Sequence, residues 1–198
     1  GYDPKVSEFD RSLLAVRQPG STVKPWIYFQ ALQQGFNLYD TIKNSGVKFN
    51  LGGGDVWVPG GGVIANEIAF YQGLAHSQNQ STVGLIKDSR WGRGNWQSNL
   101  KELCEYFKTV GVYDKTNCYP SFMLGTQEVS ITNLVSSYTF FSNGERIVRP
   151  KFIRRVTDGG GNEFYNHEAS SLEVPGATQE NLFLLRTMLL KATKRGTG

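Results

Sequence analysis

The sequence predicts an α+β fold that is mostly helical, with a small β component. Apolar residues recur at intervals of three and four over most of the chain, which is typical of helices with one buried face. Between residues 152 and 165 this period gives way to two short runs around Asp158-Gly159-Gly160-Gly161, which favours a β-hairpin turn. The chain of 198 residues is long enough to bury a core, so one domain is expected.

In the first half of the chain we predict three helices and one long loop. The helices cover residues 21–35, 64–75 and 80–87, where apolar side chains have helical spacing. Pro25 falls in the opening turns of the first helix, where its missing N–H costs least. Residues 51–63 contain six glycines, too many for the interior of a helix or strand, and therefore predict a loop.

The second half is predicted to hold three longer helices and the hairpin. Helices are expected over residues 95–110, 129–142 and 178–192, each with apolar residues at helical spacing. The hairpin strands are expected at 152–156 and 163–165, on either side of the glycine-rich turn.

Charge and composition argue against several classes of function. The net charge is +4 and the pI about 9.0, but no dense stripe of Lys and Arg is present, so nucleic-acid binding is not expected. The mild basic balance fits an acidic partner, such as a carboxylate-bearing substrate or an anionic cell-surface polymer. No apolar run approaches the ~20 residues that cross a bilayer. His76 and His167 stand alone, without metal-ligand spacing, so neither a metal nor a cofactor is predicted.

The two cysteines, Cys104 and Cys118, allow two interpretations. One is a disulfide that closes a short loop in an oxidising compartment. The other is a pair of free thiols, one on a helix face and one in a loop. Spacing in the sequence does not fix the distance between two Cα atoms, so both interpretations stay open.

Ser21 and Lys24 form the first candidate catalytic motif, S-x-x-K. Residues three apart at the start of a helix lie on the same face, where an amine can take a proton from a nucleophilic hydroxyl. Gly20 permits a tight entry to the helix, whose positive end favours a developing oxyanion. A serine that caps a helix, followed by a surface lysine, gives the same letters without any chemistry.

Ser77 and Asn79 form the second motif, S-x-N, which follows the helix predicted at 64–75. The hydroxyl of Ser77 is suited to relay a proton to or from Lys24. The carboxamide of Asn79 is suited to bind a substrate amide through both its donor and its acceptor. A serine and an asparagine that only cap a turn are the alternative.

The residues around both motifs carry a family resemblance. The stretches that carry it are RQPGSTVKPWIYFQAL, YQGLAHSQNQSTVGL and MLGTQEVSITNLVSSYTFFSNGERIVRPKFIRRVTDGGGNEFY, then the helix with LLRTML and the closing RGTG. Together they resemble, in the right order and over most of the chain, the transpeptidase domain of class A penicillin-binding proteins, whose signature combines S-x-x-K, an S-x-N element and K-T-G.

The resemblance implies a function and a role for each motif residue. Ser21 would be the acylated nucleophile, Lys24 its general base, Ser77 the proton relay and Asn79 a substrate-amide contact. The implied reaction is D,D-transpeptidation: the serine attacks a D-Ala-D-Ala peptidoglycan stem peptide, and an amine of a neighbouring strand resolves the acyl-enzyme. β-Lactams would trap the serine. The implied location is the periplasmic face of the bacterial inner membrane, among other cell-wall synthesis proteins and without a cofactor.

The chain departs from the family pattern at its third motif. Lys194-Arg195-Gly196 has Arg where K-T-G has Thr, and the true motif is expected beyond Gly198. The ends, GYDPKVSEF and KRGTG, do not look like natural termini. We therefore expect residues 1–198 to be part of a β-lactamase/transpeptidase-like domain, helix-rich and lacking much of the central antiparallel sheet. The glycosyltransferase domain and membrane anchor of class A proteins are also missing, and the chain alone is expected to be a weak or inactive catalyst.

Aromatic residues near the motifs are interpreted either as substrate contacts or as core residues. Trp57 and Pro59 fit the family's Trp-x-Pro stretch, although the residues after them do not. Trp57 either lines the substrate groove or packs onto the core. Tyr138, Phe140 and Phe141 are interpreted as core residues rather than ligand contacts.

Two other functions remain open at this point. A D,D-carboxypeptidase or serine β-lactamase would use the same nucleophile but deacylate differently. A non-catalytic module would keep the fold and bind only peptidoglycan or partner proteins, and its binding would survive replacement of Ser21 by Ala.

Overall fold

The helix that carries the first motif lies at the centre of the fold. In the computed structural model, nine of the ten residues of helix α1 (Lys24–Gln33) are buried. Its sequence, KPWIYFQALQ, is apolar on all sides, as expected of a helix surrounded by other elements. The structure describes residues 3, 5–6, 8–92, 94–144, 146–166 and 171–197, so that His167 lies outside the described residues.

Helices surround α1, and short strand pairs lie between them. The other α-helices of the described residues are α2 (Phe70–Ala75), α3 (Asn79–Gly84), α4 (Trp96–Thr109), α5 (Ile131–Asn143) and α6 (Gln179–Arg195). Short 3-10 turns cover Gly20–Val23, Leu85–Lys87 and Pro120–Leu124. Helices α2, α3, α4 and α6 all contact α1. None of the helices in the described ranges is both long and apolar enough to span a bilayer.

The strands form only two-stranded antiparallel ladders within the described part of the chain. The strands are β1 (Val16–Arg17), β2 (Thr41–Lys43), β3 (Phe49–Gly52), β4 (Asp55–Trp57), β5 (Glu67–Ala69), β6 (Val129–Ser130), β7 (Arg146–Val148), β8 (Arg155–Thr157), β9 (Glu163–Asn166) and β10 (Ser171–Glu173). The pairs are β1 with β6, β2 with β5, β3 with β4, β7 with β10 and β8 with β9. The fold is therefore α+β and dominated by helices, as predicted.

Most predicted helices are confirmed to within a few residues at each end. Helices α4, α5 and α6 begin where a side-chain oxygen accepts a hydrogen bond from the backbone N–H three residues on. Those capping residues are Asn95, Ser130 and Thr178. The predicted hairpin is β8–β9, although β8 is shorter than the strand expected at 152–156.

The predicted loop over residues 51–63 is wrong for its first half, which contains the β3–β4 hairpin. Three consecutive glycines, Gly52 to Gly54, all have positive φ and build the turn between the strands. The ring centroids of Phe49 and Trp57 are 5.7 Å apart across the ladder. An aromatic cross-strand pair thus stabilises strands that the glycine content alone argues against.

The helix predicted from residue 64 to 75 is also too long, because it begins only at Phe70. Ile68 instead pairs with Ile42 in the β2–β5 ladder. The switch from strand to helix is fixed by Gln72, whose Oε1 accepts from the backbone N–H of Ala69 at 2.9 Å. The backbone N–H of Phe70 donates to the carbonyl of Asp40 at 2.8 Å.

The core around α1 is rich in aromatic rings. Trp26 lies 5.6 Å from Phe140 and 4.5 Å from Phe141 between ring centroids. Its indole N–H donates to the hydroxyl of Ser137 at 3.1 Å. Phe140 and Phe141 are buried, which confirms them as core residues, and α5 is packed firmly against α1.

The cysteines form a disulfide, which settles the choice between the two interpretations. Cys104 is fully buried on α4, and Cys118 lies in the exposed segment that follows it, with their Cα atoms 6.1 Å apart. The crosslink ties the segment before the Pro120–Leu124 turn to the core.

Replacing Cys118 by Ser should lower the free energy of unfolding by about 3 kcal/mol, because the crosslink restricts the unfolded chain over a loop of this length. Its two cysteines are 14 positions apart in the sequence. Urea denaturation measures the change. A reducing agent should bring the unmodified chain to the stability of the variant and leave the variant unchanged. A reducing agent without effect on the unmodified chain would contradict this prediction.

Candidate active site

Ser21 lies in the 3-10 turn Gly20–Val23, directly before α1, and its side chain is exposed. A second turn, at Gly125, packs against the turn that carries Ser21. The N–H of Gly20, whose φ is +58°, donates to the carbonyl of Gly125 at 3.1 Å. Gly125 has a φ of +69°, and a Cβ atom there would overlap the carbonyl oxygen of Gly20. Only glycine at position 125 lets the two segments approach this closely.

Lys24 is 1% exposed, and its ammonium nitrogen faces the S-x-N motif. Its Nζ donates to the carbonyl oxygen of Ser77 at 2.6 Å, to the Oγ of Ser77 at 2.9 Å and to the Oδ1 of Asn79 at 2.8 Å. An ammonium has three N–H donors, so these three oxygens satisfy it completely. The structure thus brings Lys24, Ser77 and Asn79, all predicted from the sequence, into direct contact.

The burial of Lys24 lowers its pKa from 10.5 to about 8, because desolvation penalises the charged form. Its three partners are neutral oxygens, which solvate the ammonium without the attraction of a carboxylate. With this pKa about one lysine in ten is neutral at pH 7, and about half at pH 8. Lys24 is therefore suited to accept a proton near neutral pH.

The turn that presents Ser77 is built by the buried side chain of Gln78. Ser77 has a φ of +48° and is the one non-glycine residue with a positive φ among the described residues. The carboxamide oxygen of Gln78 accepts from Asn44 Nδ2 at 2.9 Å and from the N–H of Ile64 at 3.1 Å. The N–H of Gln78 donates to the carbonyl of Gly73 at 2.9 Å. These bonds hold Ser77 in a conformation that serine rarely adopts.

Asn79 connects the motif to the segment after β4. Its Oδ1 accepts from Lys24, and its Nδ2 donates to the carbonyl of Gly60 at 2.8 Å. Gly61 lies so close that a Cβ atom there would come within 3.0 Å of Asn79 Nδ2. Beside them is a cavity of about 540 Å³ lined by residues 61–64, 76–79 and Thr197. Ser77 and Asn79 thus form part of the wall of an open groove.

Trp57 does not line this cavity. It is partly buried and packs against the core, including the ring of Phe49. Of its two interpretations, the structure favours packing. The carbonyl of Pro59 accepts from Gln80 Nε2 at 2.8 Å and helps to hold the segment that faces Asn79.

Tyr138 packs on the core, as predicted, but its hydroxyl also makes a hydrogen bond that was not predicted. Its ring packs on Phe141 with centroids 5.2 Å apart, but its hydroxyl donates to the carbonyl of Thr22 at 2.5 Å, next to Ser21. The sequence gives a weak signal, since a tyrosine in the run Ser-Tyr-Thr-Phe-Phe needs a partner for its hydroxyl. Gly125 gives no signal beyond being a glycine.

Within the described ranges no group of three or more His, Cys, Asp and Glu residues is placed to hold a metal ion. His76 lies next to Ser77 and lines the cavity.

Comparison with known proteins identifies the family. The family model described as the penicillin-binding protein transpeptidase domain matches residues 8–198. The chain belongs to this family. Among curated proteins, this transpeptidase-family chain is 33% identical to penicillin-binding protein 2D of Bacillus subtilis over 171 residues, which is 84% of the chain and 23% of that protein. It is 30% identical to penicillin-binding protein 1A of Aquifex aeolicus over 200 residues, covering 98% of the chain and 26% of that protein.

Solved structures agree with the fold of this transpeptidase-family chain. Penicillin-binding protein 1A of Haemophilus influenzae superimposes with a TM-score of 0.77 at 20% identity, covering 97% of this chain and 32% of that one. Penicillin-binding protein A of M. tuberculosis, solved as an imipenem acyl-enzyme complex, gives a TM-score of 0.73 at 13% identity, covering 97% and 47%. The chain spans about a quarter of the length of the curated relatives it matches.

The Gly125 turn yields a stability prediction. Replacing Gly125 by Ala should lower the free energy of unfolding by at least about 1–2 kcal/mol, the cost of a left-handed alanine, before the overlap with Gly20 is counted. Gly159→Ala is the matched control, since a Cβ atom there meets nothing within 4 Å. Its effect should stay within about 0.5 kcal/mol. Equal effects of the two substitutions in urea denaturation would show that the turn does not need glycine at 125.

Proposed function

We propose that this chain is the acyl-serine part of a peptidoglycan D,D-transpeptidase, with residues 1–198 forming part of its penicillin-binding domain. The observation that supports this most directly is the contact of Lys24 Nζ with both oxygens of Ser77 and with Asn79 Oδ1. An S-x-x-K sequence that occurs by chance is not expected to bury its lysine against an S-x-N turn 53 residues away in the sequence. The disulfide fits an oxidising compartment outside the cytoplasm, where peptidoglycan is cross-linked.

The acylation step follows from the donors and acceptors of the site. Neutral Lys24 takes the proton of the Ser21 hydroxyl while Ser21 Oγ attacks the carbonyl carbon between the two D-alanines. The bond between that carbon and the terminal D-Ala nitrogen breaks. The hydroxyl of Ser77 donates its proton to the leaving amine and is reprotonated by Lys24. The acyl-enzyme forms, D-alanine leaves and Lys24 is neutral again.

Deacylation runs the same relay in reverse. The amine of a neighbouring peptide strand attacks the acyl carbon and gives up a proton through Ser77 to Lys24. Lys24 returns a proton to Ser21 as the ester bond breaks, so atoms and charges balance over the cycle. The positive end of the turn and of α1 favours the negative charge on the oxygen in both steps. A β-lactam carbonyl would acylate Ser21 in the same way but leave no departing group to make room for the acceptor.

Asn79 is placed to orient the substrate. Its carboxamide is fixed between Lys24 and Gly60 at the wall of the cavity. The carbonyl of a peptide amide that enters the cavity would replace the carbonyl of Gly60 as the acceptor of the Asn79 Nδ2 hydrogen bond. Asn79 Oδ1 would continue to accept from Lys24. The K-T-G element is not among the 198 residues, since position 195 is Arg. Because loss of one oxyanion donor alone costs about 100- to 1,000-fold, we expect the chain by itself to acylate slowly.

Covalent labelling by penicillin tests the proposed nucleophile. Intact-mass spectrometry after incubation with penicillin should show one adduct on the unmodified protein and none on the Ser21→Ala variant. The assay is run on the 198-residue chain and on the same chain extended by a K-T-G strand of the family, because the short chain is expected to acylate slowly.

The outcomes of this labelling separate the candidate functions. A stable adduct supports a transpeptidase, whereas rapid loss of the adduct with release of hydrolysed penicillin would identify a β-lactamase. Release of D-alanine from a stem peptide without cross-linking would identify a carboxypeptidase. A longer form that takes up no penicillin but still binds peptidoglycan after Ser21→Ala would overturn the proposal in favour of the non-catalytic module.

The acylation rate should rise with pH around a midpoint of about 8, because Lys24 acts as a base only when neutral and its pKa is lowered to about 8. Lys24→Arg keeps a charge at every accessible pH and should lower the rate by at least about 100-fold. Lys101→Arg, at an exposed position on α4, is the control and should keep the pH profile. The profile is measured from pH 6 to 9.5. A flat profile would exclude Lys24 as the base.

A further inference from the structure

The turn that carries Ser21 is fixed at three points. The N–H of Gly20 donates to Gly125, the hydroxyl of Thr22 donates to the carbonyl of Pro19 at 2.8 Å, and the hydroxyl of Tyr138 donates to the carbonyl of Thr22 at 2.5 Å. The first is a backbone contact and the second lies within the turn. The third comes from α5, an element 116 residues away in the sequence.

The carbonyl of Thr22 lies between the two residues that must act together. The N–H of Lys24 donates to the carbonyl of Ser21, which closes the tight 3-10 turn before α1 begins. The peptide group between Thr22 and Val23 lies inside that turn. Its orientation therefore sets how the Ser21 side chain stands relative to the Lys24 side chain. A hydrogen bond to the Thr22 oxygen fixes that orientation.

The side chain of Tyr138 is packed against the aromatic core around α1. Its ring packs on Phe141, which in turn packs on Trp26 of α1. The adjacent residue, Ser137, accepts from the indole N–H of Trp26 at 3.1 Å. The hydrogen bonds of Tyr138 with Thr22 and of Trp26 with Ser137 join consecutive residues of α5 to the segment 22–26, so that α5 and this segment are held together at two points.

The hydroxyl also stays a donor throughout the working pH range. Burial raises the pKa of Tyr138 to about 12, because desolvation penalises the phenolate. The carbonyl of Thr22 can only accept, so the direction of the hydrogen bond is fixed.

We propose that Tyr138 is a positioning residue for the nucleophile, which through the carbonyl of Thr22 holds Ser21 in reach of Lys24. This rests on the proposed function of Ser21 and Lys24. Tyr138 acts on the rate of acylation and not on the first, non-covalent binding of the substrate, because it touches the back of the turn and does not line the cavity.

The chain offers a matched control for removal of this hydroxyl. Tyr138 is partly buried, and Tyr113 is a buried tyrosine that packs on Phe107 and Phe122. The hydroxyl of Tyr113 has no hydrogen-bond partner in the described structure. Tyr113→Phe therefore removes a phenol oxygen from the core without touching the turn Gly20–Val23 that carries Ser21. Tyr138→Phe removes a phenol oxygen that is hydrogen-bonded to the carbonyl of Thr22 in that turn.

Penicillin acylation kinetics separate positioning from general stability. In the chain extended by a K-T-G strand, Tyr138→Phe should lower the first-order acylation rate about tenfold and leave the non-covalent dissociation constant within about twofold, since small displacements of reacting groups cost rate rather than binding. Tyr113→Phe should change neither. Equal acylation rates of Tyr138→Phe and the unmodified protein would overturn the proposal. A change confined to the dissociation constant would do so as well.

A thiol at position 21 tests the inference without any acylation. In Ser21→Cys the new cysteine is the one free thiol, because Cys104 and Cys118 are paired. The nearby Lys24 ammonium should lower the pKa of the new thiol and speed its alkylation by iodoacetamide. Adding Tyr138→Phe should slow alkylation at pH 7 by about threefold or more, and adding Tyr113→Phe should not. Unchanged alkylation would overturn the positioning role. Failure of the unmodified protein to bind penicillin would instead count against the proposed function.

Discussion

The ammonium of Lys24 is the constraint on which the rest of this structure depends. Burying an unpaired charge costs far more than any single contact in the fold returns, so its three N–H groups need three oxygens in fixed positions. One short turn supplies all of them, through the carbonyl and hydroxyl of Ser77 and the carboxamide of Asn79. The need for three oxygens around the ammonium explains why Ser77 has a left-handed backbone and why the amide of Gln78 is buried.

The arrangement of the helices serves the same need, because it brings the segment of Lys24 and the distant turn of Ser77 together. Helix α1 carries Lys24 into the core, while α2 and α3 flank the turn that receives it. Gly73 on α2 makes the close approach possible, since a Cβ atom there would overlap the hydroxyl of Tyr28 on α1. From the other side, α5 and the Gly125 turn support Ser21. The site thus lies at an interface between several elements that pack against one another.

The parts of this arrangement that the sequence predicts are local. The S-x-x-K and S-x-N spacings, the helices over 95–110 and 178–192 and the hairpin around Gly159 all depend on neighbours within a few residues. The missed features depend on distant partners. The β3–β4 hairpin needs the ring of Phe49 against Trp57, and the strand before α2 needs β2. The contacts of Tyr138 and Gly125 with the turn Gly20–Val23 join segments more than a hundred residues apart, which no periodicity reveals.

In the proposed mechanism the same lysine has to be charged for one task and neutral for another, and the choice of its partners reconciles the two. When Lys24 loses a proton it keeps two N–H donors and gains a lone pair. The carbonyl of Ser77 and the Oδ1 of Asn79 can only accept, so the two remaining donors stay with them. The Oγ of Ser77 is the one partner that can reverse, because a hydroxyl donates as well as accepts. Before substrate attack, deprotonation therefore leaves no buried group unsatisfied, provided that position 77 carries a hydroxyl; in the proposed base step the lone pair of Lys24 exchanges the Ser77 hydroxyl for that of Ser21. A residue with only an acceptor there would stabilise the charged lysine and prevent it from acting as a base.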